Sequence, residues 1–326
     1  MSRLRDNPAP DMTTLAARPL TVLVSQSALR EELGPLPERV RLVTGPRPDV
    51  DVVVVDGDLA GRLPALFAEL PGLQVVQSLN AGIERLLPLV PEGVTVCNAS
   101  GVHDGPVSEW CTSVVLAMER RLPGFLELQR EARWDVNAND STAVGPPVFD
   151  RGDDLEGKRV LILGHGSIGR ALEARLRPFG VDVVGIAKHR RPRVSTVDAL
   201  PRLLPAADVV VLLLPLTPET EGIADGSFLD RMKSGALLVN AARGRLVDTD
   251  ALLERLRAGR VRAALDVTDP EPLTDGHPLW SAPGVLITPH VAGAPIRWRA
   301  RAYRFVGDQL RRYASGEPLR NVRAGY

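Results

Sequence analysis

Between Val160 and Arg191 the chain reads VLILGHGSIGRALEARLRPFGVDVVGIAKHRR. An apolar run leads into glycines at Gly164, Gly166 and Gly169, and a helix-forming run follows. That is G-x-G-x-x-G in the setting where the pattern has a mechanism. The first glycine permits a tight turn, the second lets backbone approach a pyrophosphate, and the third lets helix and strand pack closely. Helix N–H groups then face the phosphate charge. Eighteen residues past Gly169, where an acid would bond the adenosine ribose hydroxyls, stands Ala187, followed by Lys188, His189, Arg190 and Arg191. An acid there would repel a 2′-phosphate, whereas Lys188, His189 and Arg190 offer it charge-assisted bonds. Solvated surface charge is the plain alternative for that run. The expectation is a dinucleotide site preferring NADP(H), with NAD(H) as the second choice.

The elements that must hold this turn recur along the chain. Short β-branched runs, LTVLVS (Leu20–Ser25), VRLVTG (Val40–Gly45), VDVVVV (Val50–Val55), LQVVQS (Leu73–Ser78) and VTVCNA (Val94–Ala99), alternate with helical or turn-rich stretches. A second series starts at RVLILG (Arg159–Gly164) and continues through VDVVGIA, DVVVLLLP, GALLVNAA, RAALDVT and GVLITPH. Near-continuous apolar strands alternating with helices predict parallel sheets covered on both faces, here in two α/β units. Between the series, Pro106 and Ser108 open an apolar-periodic helix that Pro123 and Gly124 should break. Residues 135–152 read as a long polar arm. A C-terminal helical pattern ends near Ser315–Gly316, its arginines on a solvated face.

The chain's 326 residues suffice for two cores. Its 40 basic and 40 acidic side chains balance to zero, so no global field draws it to nucleic acid or an anionic membrane. Two cysteines, Cys97 and Cys111, are too few for a disulfide framework and lack metal-ligand spacing, which predicts a reducing compartment and no metal. Residues 1–18 read as a disordered leader without a signal-peptide core. The apolar runs are strand-sized, too short to span a bilayer. A cytoplasmic location follows.

Downstream come LPLTPETEGIADGSFLDRMKSGALLVNAARGRLVDTDALLERLRAG, ALDVTDPEPL, HPLW and LITPHVAG. With these segments the chain resembles the D-2-hydroxyacid dehydrogenase family over roughly Leu73 to His290, on the glyoxylate/hydroxypyruvate reductase side. The resemblance implies an α/β protein of two Rossmann-like, doubly wound parallel-sheet domains. A dinucleotide domain (105–292) is inserted into a flavodoxin-like substrate domain (1–104 and 293–326). It implies hydride transfer to a small 2-oxoacid bound between the domains, giving the D-2-hydroxy acid, with hinges near Gly101–Pro106 and Ala292–Pro295. It also implies a homodimer built on the Pro106–Met118 helix and the 135–152 arm, and neither a nucleic-acid nor a membrane partner. Trp110, Trp134 and Trp298 are candidates for that interface or for the substrate site, with core packing the plainer role for each.

The catalytic roles come with the resemblance. Arg243 in NAARG would bind the carboxylate and keto oxygen, a task suited to a planar, permanently charged fork. His290 in TPH would give the proton in reduction and take it in oxidation, as imidazoles with a pKa of about 6.5 do. Glu271 in DPEP would hold that ring and stabilise its protonated form. An isolated Arg-Gly, Glu-Pro or Pro-His dipeptide is an ordinary loop feature; their joint occurrence at the strand ends of a dinucleotide unit gives them weight. Ser167, Ile168, Leu214, Pro215, Ala241, Ala242, Asp266, His290 and Gly293 would complete the cofactor site with the glycines and the cationic run, and Asp266 could also act on His290. Backbone amides of Leu79, Asn80, Ala81 and Gly82 would bind the substrate carboxylate.

The remaining histidines read plainly: His165 as filler in the glycine turn, His277 as a structural turn, and His103 on a loop that could approach substrate. Two departures weigh against D-3-phosphoglycerate as substrate: Gln77, Ser78, Leu79 and Asn80 supply no cation, and the chain ends soon after EPLRNV. Formate dehydrogenases lack the glutamate found at Glu271. The alternatives are a same-fold dehydrogenase on a bulkier or phosphorylated substrate such as D-3-phosphoglycerate, and a non-catalytic nucleotide-sensing corepressor-like protein.

Overall fold

The computed structural model describes residues 18–135 and 152–323, so nearly all of the expected leader and of the expected arm lies outside the described residues. The chain divides into two compact units, one within Met1–His103 and Ala294–Tyr326, the other within Asp104–Gly293. The second is therefore an insertion in the sequence of the first.

The first unit is a six-stranded sheet built from β1 (Leu20–Leu23), β2 (Val40–Val43), β3 (Val52–Val55), β4 (Val75–Ser78), β5 (Thr95–Cys97) and β13 (Val322–Arg323), in the order β13-β5-β4-β3-β1-β2. β1, β3 and β4 are buried along their whole length, as expected for strands covered on both faces. Helix α1 (Leu63–Ala68) contributes Leu63, Leu66 and Phe67 to one face. Helix α7 (Trp298–Ala314) lays Ala302, Tyr303, Val306 and Leu310 on the other. The sheet departs from the all-parallel expectation at one edge, where β13 pairs antiparallel with β5, Val322 opposite Cys97. A two-residue edge strand formed as the chain returns from α7 needs no crossover helix, so parallel pairing is not imposed on it.

The second unit has seven parallel strands, β6 (Arg159–Leu163), β7 (Asp182–Ile186), β8 (Val194–Ser195), β9 (Val209–Leu212), β10 (Ala236–Asn240), β11 (Val261–Leu265) and β12 (Val285–Ile287), ordered β12-β11-β10-β9-β6-β7-β8. Side chains alternate across it. Val160 and Ile162 of β6 pack with α2 (Asp104–Glu119) and α4 (Ser167–Leu176) through Val115, Leu172 and Leu176. Leu161 and Leu163 face α5 (Gly226–Arg231) and α6 (Thr249–Arg257) through Leu229, Leu252 and Leu256. Each such fully buried aliphatic side chain contributes about 1.5–3 kcal/mol.

The helix break falls at Arg120–Arg121, not at Pro123–Gly124: Arg121 takes a φ of 56°, and α3 (Leu122–Arg130) carries Pro123 in its first turn. Proline is tolerated there because first-turn N–H groups have no intrahelical acceptor to lose. Among the described residues no helix is long and apolar enough to cross a membrane.

Candidate active site

The glycine turn joins β6 to α4, and its glycines meet different surroundings. A Cβ on Gly164 (φ 101°) would lie 2.4 Å from the Leu213 carbonyl, and one on Gly169 would lie 2.6 Å from the Gly164 oxygen. At Gly166 a Cβ would meet nothing within 4 Å, so that position opens outward. Helix α4 starts at Ser167 with Gly166 as an N-cap that supplies no side-chain bond. In general the first-turn N–H groups of a helix lack intrahelical acceptors, which suits the start of α4 to an anion. The turn has the shape and polarity that a pyrophosphate requires.

His165 is not filler. It is buried, its Nε2 lies 2.7 Å from Glu173 Oε2 on α4, and its ring occupies the space that a side chain on Gly185 of β7 would need. Burial works against the Glu173 charge, but hydrogen bonds from Arg177 and His165 outweigh it and hold the carboxyl below its usual range. The ring braces turn, helix and second strand together.

At the tip of β7, Ala187 donates its N–H to Ser195 O, and Lys188, His189 and Arg190 are exposed. The neighbouring Arg191 is the cation fixed in place: its Nη2 donates to the His165 carbonyl at 3.1 Å, and its backbone pairs with Val194. Sequence reasoning stopped at Arg190. Arg191 was visible as one more cation in the run, but its aim at the glycine turn depends on the tight turn through Arg193 (φ 59°). Leu214 and Pro215 follow β9, and Ala241 and Ala242 follow β10, with Asn240 Oδ1 accepting from the Ala242 N–H at 3.1 Å.

Arg243, Glu271 and His290 come from segments that follow β10, β11 and β12, three adjacent strands. Neighbouring strands lie about 4.8 Å apart, so their carboxyl ends form one continuous edge. Glu271 Oε1 pairs with His290 Nδ1. The His290 side chain is 53% exposed, in a backbone conformation with φ 55°. That conformation is held by Asp266, which is buried: Oδ1 accepts from Thr288 Oγ1 (2.6 Å) and the Val291 N–H (2.9 Å), and Oδ2 accepts from the Ala292 N–H (2.9 Å). The Asp266 carbonyl also accepts the His290 N–H at 2.7 Å. Asp266 therefore fixes the segment that carries the imidazole.

Arg243 sends Nη1 to the Ala242 carbonyl at 2.7 Å. The glycine after it was not singled out from the sequence. A Cβ on Gly244 would lie 1.9 Å from the Thr268 carbonyl oxygen, so only glycine lets the Arg243 loop close on the segment leading to Glu271. Its signal was its place in NAARG. His277 caps a short turn through the Leu279 N–H, in line with a structural role.

In the first unit, the loop at Leu79–Gly82 follows β4. The Leu79 N–H bonds to Val55 O at 3.2 Å and the Asn80 N–H to Ser78 Oγ at 3.0 Å, so both are engaged internally. Ala81 and Gly82 give their N–H groups to no acceptor among the described residues, while Asn98 Nδ2 holds the Ala81 carbonyl at 2.6 Å. His103 Nε2 lies 3.3 Å from the Leu79 carbonyl, and its ring lies 5.7 Å from that of Trp298, tilted by 36°.

Both cysteines are buried and free. Burial pushes the Cys97 thiol up to about 12 and raises that of Cys111, with the Asp266 charge adding to the latter, so neither is a nucleophile near neutrality. No group of metal-ligating side chains occurs among the described residues. A cavity of about 500 Å³ lined by Leu116, Glu119, Leu155, Phe179 and Gly180 borders the segments that precede β6 and β7, away from the strand carboxyl ends.

Residues 112–292 match the model for the D-isomer specific 2-hydroxyacid dehydrogenase, NAD binding domain. The chain belongs to this family. Its likeness is to the glyoxylate/hydroxypyruvate reductase-like branch. It is 34% identical over 258 residues to the glyoxylate reductase of Thermofilum pendens, covering 76% of this chain and 74% of that one. A D-isomer specific 2-hydroxyacid dehydrogenase from Xanthobacter autotrophicus, solved with NADPH and MES, superposes with a TM-score of 0.76 at 31% identity, covering 94% of this chain and 98% of that one. The NADPH-dependent glyoxylate/hydroxypyruvate reductase of Sinorhizobium meliloti, solved with NADP and sulfate, gives a TM-score of 0.77 at 27% identity, with the same coverages of 94% and 98%. The protein is thus an NAD(P)-dependent oxidoreductase acting on the CH–OH group of 2-hydroxy acids.

Proposed function

We propose that the protein is an NADPH-preferring reductase of glyoxylate or hydroxypyruvate, working as a cytoplasmic homodimer. The observation that carries this reading is the paired Glu271 and His290 beside the Arg243 strand end, with Asp266 holding the imidazole segment. Glu271 engages Nδ1, which leaves Nε2 to donate a proton. Arg243 binds the carboxylate and keto oxygen and stabilises negative charge developing on that oxygen. The Ala81 and Gly82 amides add donors for the carboxylate.

The glycine turn, with Ser167, Ile168, Leu214, Pro215, Ala241, Ala242 and Gly293, would hold the nicotinamide cofactor, which supplies the hydride for the keto carbon when bound. His290 then protonates the oxygen to give the D-2-hydroxy acid, Glu271 stabilises the imidazolium that precedes this step, and water restores the proton. The open space at Gly166, at the start of α4, supports the fit. The absence of an acid at Ala187 and the cations Lys188, His189, Arg190 and Arg191 support the NADPH preference. Leu122, Leu126 and Trp134 are exposed, which supports an interface there.

Steady-state rates with NADPH and NADH on glyoxylate, hydroxypyruvate, pyruvate and phenylpyruvate test the reading. It expects the highest kcat/KM for NADPH with one of the first two acids. Binding of NADPH with no turnover of any panel member would refute it in favour of a nucleotide sensor.

A further inference from the structure

We infer that Arg299 is a specificity-determining residue, which reads an electronegative substituent on carbon 3 of a 2-oxoacid, a hydroxyl or a carboxylate. The inference rests on the 2-oxoacid reductase proposed above. The sheet order β5-β4-β3-β1-β2 in the first unit places a topological switch between β1 and β3, because the chain leaves β1 to one side and returns to the other. Open α/β sheets bind ligands outside the strand carboxyl ends at such a point.

A built polar cluster occupies that position. Asp56, directly after β3, is buried, and its Oδ2 accepts from Ser25 Oγ beyond β1 and from Tyr303 OH at 2.9 Å. Tyr303 is buried with its hydroxyl pushed up to about 12, by burial first and then by Asp56, so it remains a donor. In front of this carboxylate stands Arg299. Its Nη2 lies 3.6 Å from Asp56 Oδ2 and donates to Ser27 O (3.1 Å) and Ser27 Oγ (3.2 Å). A guanidinium has five N–H donors. These bonds engage Nη2 and leave the donors on Nε and Nη1 outside them, on a side chain that is 36% exposed.

The cluster adjoins the loop that carries the unpartnered Ala81 and Gly82 amides. The Leu79 N–H bonds to Val55 O, the residue before Asp56. His103 ties the Leu79 carbonyl to the Trp298 ring, one residue before Arg299. Adjacent strands are about 4.8 Å apart, so a 2-oxoacid whose carboxylate sits on those amides has carbon 3 within reach of an arginine held over the next strands. Asp56 and Ser27 fix the guanidinium; the substrate uses its open donors. A guanidinium already held by Asp56 and Ser27 loses little freedom on bonding a substituent, so substrates that carry one are favoured over those that lack it.

Glyoxylate has no carbon 3 and is the internal reference. The test compares kcat/KM with NADPH for glyoxylate, hydroxypyruvate, oxaloacetate and pyruvate in the wild type, Arg299→Leu and Arg299→Lys. Melting curves report folding, and lysine keeps a counter-charge for Asp56 if leucine does not fold. The hydroxypyruvate-to-glyoxylate or the oxaloacetate-to-glyoxylate ratio is expected to fall at least tenfold in Arg299→Leu and at least threefold in Arg299→Lys, and whichever falls identifies hydroxyl or carboxylate. The pyruvate ratio is expected to hold. Equal losses on every substrate, or ratios within twofold of wild type, would reduce Arg299 to a counter-ion of Asp56 and overturn the inference. Titrating the NADPH-loaded protein with D-glycerate, D-malate and glycolate, complexes that hold no hydride acceptor, reads the same ratios without turnover. A chain that reduces none of the panel, which refutes the proposed function, thus still decides the role of Arg299.

Discussion

Substituting Gly244 by alanine tests how the strand ends are brought together. The new methyl would lie 1.9 Å from the Thr268 carbonyl oxygen and 2.1 Å from its carbon, both backbone atoms that no rotamer change can move aside. Ordinary contact is about 3.5–4 Å between carbons, so one segment must shift by about 1.5 Å. Arg243 is on one side of that contact and the segment leading to Glu271 on the other. A misplacement of about 1 Å costs on the order of 10²-fold in rate, and overpacking costs about 1–3 kcal/mol in stability. The expectation for Gly244→Ala is a folded protein with a lowered Tm, NADPH affinity within a few-fold of wild type, and kcat/KM for glyoxylate down by about 10²-fold or more. Fluorescence titration of NADPH, a melting curve and steady-state rates give the three numbers. Activity within threefold of wild type would refute the claim that this backbone contact sets the catalytic geometry.

Gly166→Ala is the contrasting case: nothing lies within 4 Å of the added Cβ, so the melting curve should match wild type while NADPH titration shows at least tenfold weaker binding. Ala187→Asp with Lys188 and Arg190 neutralised should move the NADPH-to-NADH ratio of kcat/KM toward NADH by at least tenfold, and changing Arg191 to glutamine as well should move it further. Asp208 carries an acid-sensitive share of stability. Burial disfavours its charge, but Lys233 and the Arg159 N–H outweigh it and hold the carboxyl below its usual range. A depressed carboxyl stabilises the fold fully above its unfolded pKa of about 3.9 and loses that contribution as pH falls through the folded value. Asp208→Asn should therefore destabilise at pH 7 and much less at pH 3 in urea unfolding curves; equal destabilisation at both would show that the charge is irrelevant.

Much of this molecule was legible because its strands are buried on both faces. Runs such as VVVV at Val52–Val55 and VVVL at Val209–Leu212 stand out as near-continuous apolar segments, and a glycine turn after one of them has a single physical reading. The proposed catalytic roles rest on family resemblance alone, since no periodicity marks Arg243, Glu271 or His290. What sequence could not reveal depends on contacts distant along the chain. His165 became a brace because Gly185 leaves room for its ring and Glu173 meets its Nε2. For Asp266 the resemblance implied an effect on His290, but not its form, three side-chain hydrogen bonds that hold the segment. The helix break moved to Arg121 because Pro123 serves equally well as a helix start. The Asp56 cluster joins residues as far apart as Ser25 and Tyr303, which no local pattern reports.

The central claim is that His290, held by Glu271, delivers the proton that completes carbonyl reduction. NADPH oxidation with glyoxylate and hydroxypyruvate, followed for the wild type and His290→Ala beside NADPH titrations of both proteins, tests it most directly. Loss of a general acid should lower kcat by about 10²–10⁴-fold, with NADPH affinity within about threefold. If His290→Ala retained more than a tenth of the wild-type kcat, the proton would come from elsewhere and the assignment of the site would be wrong.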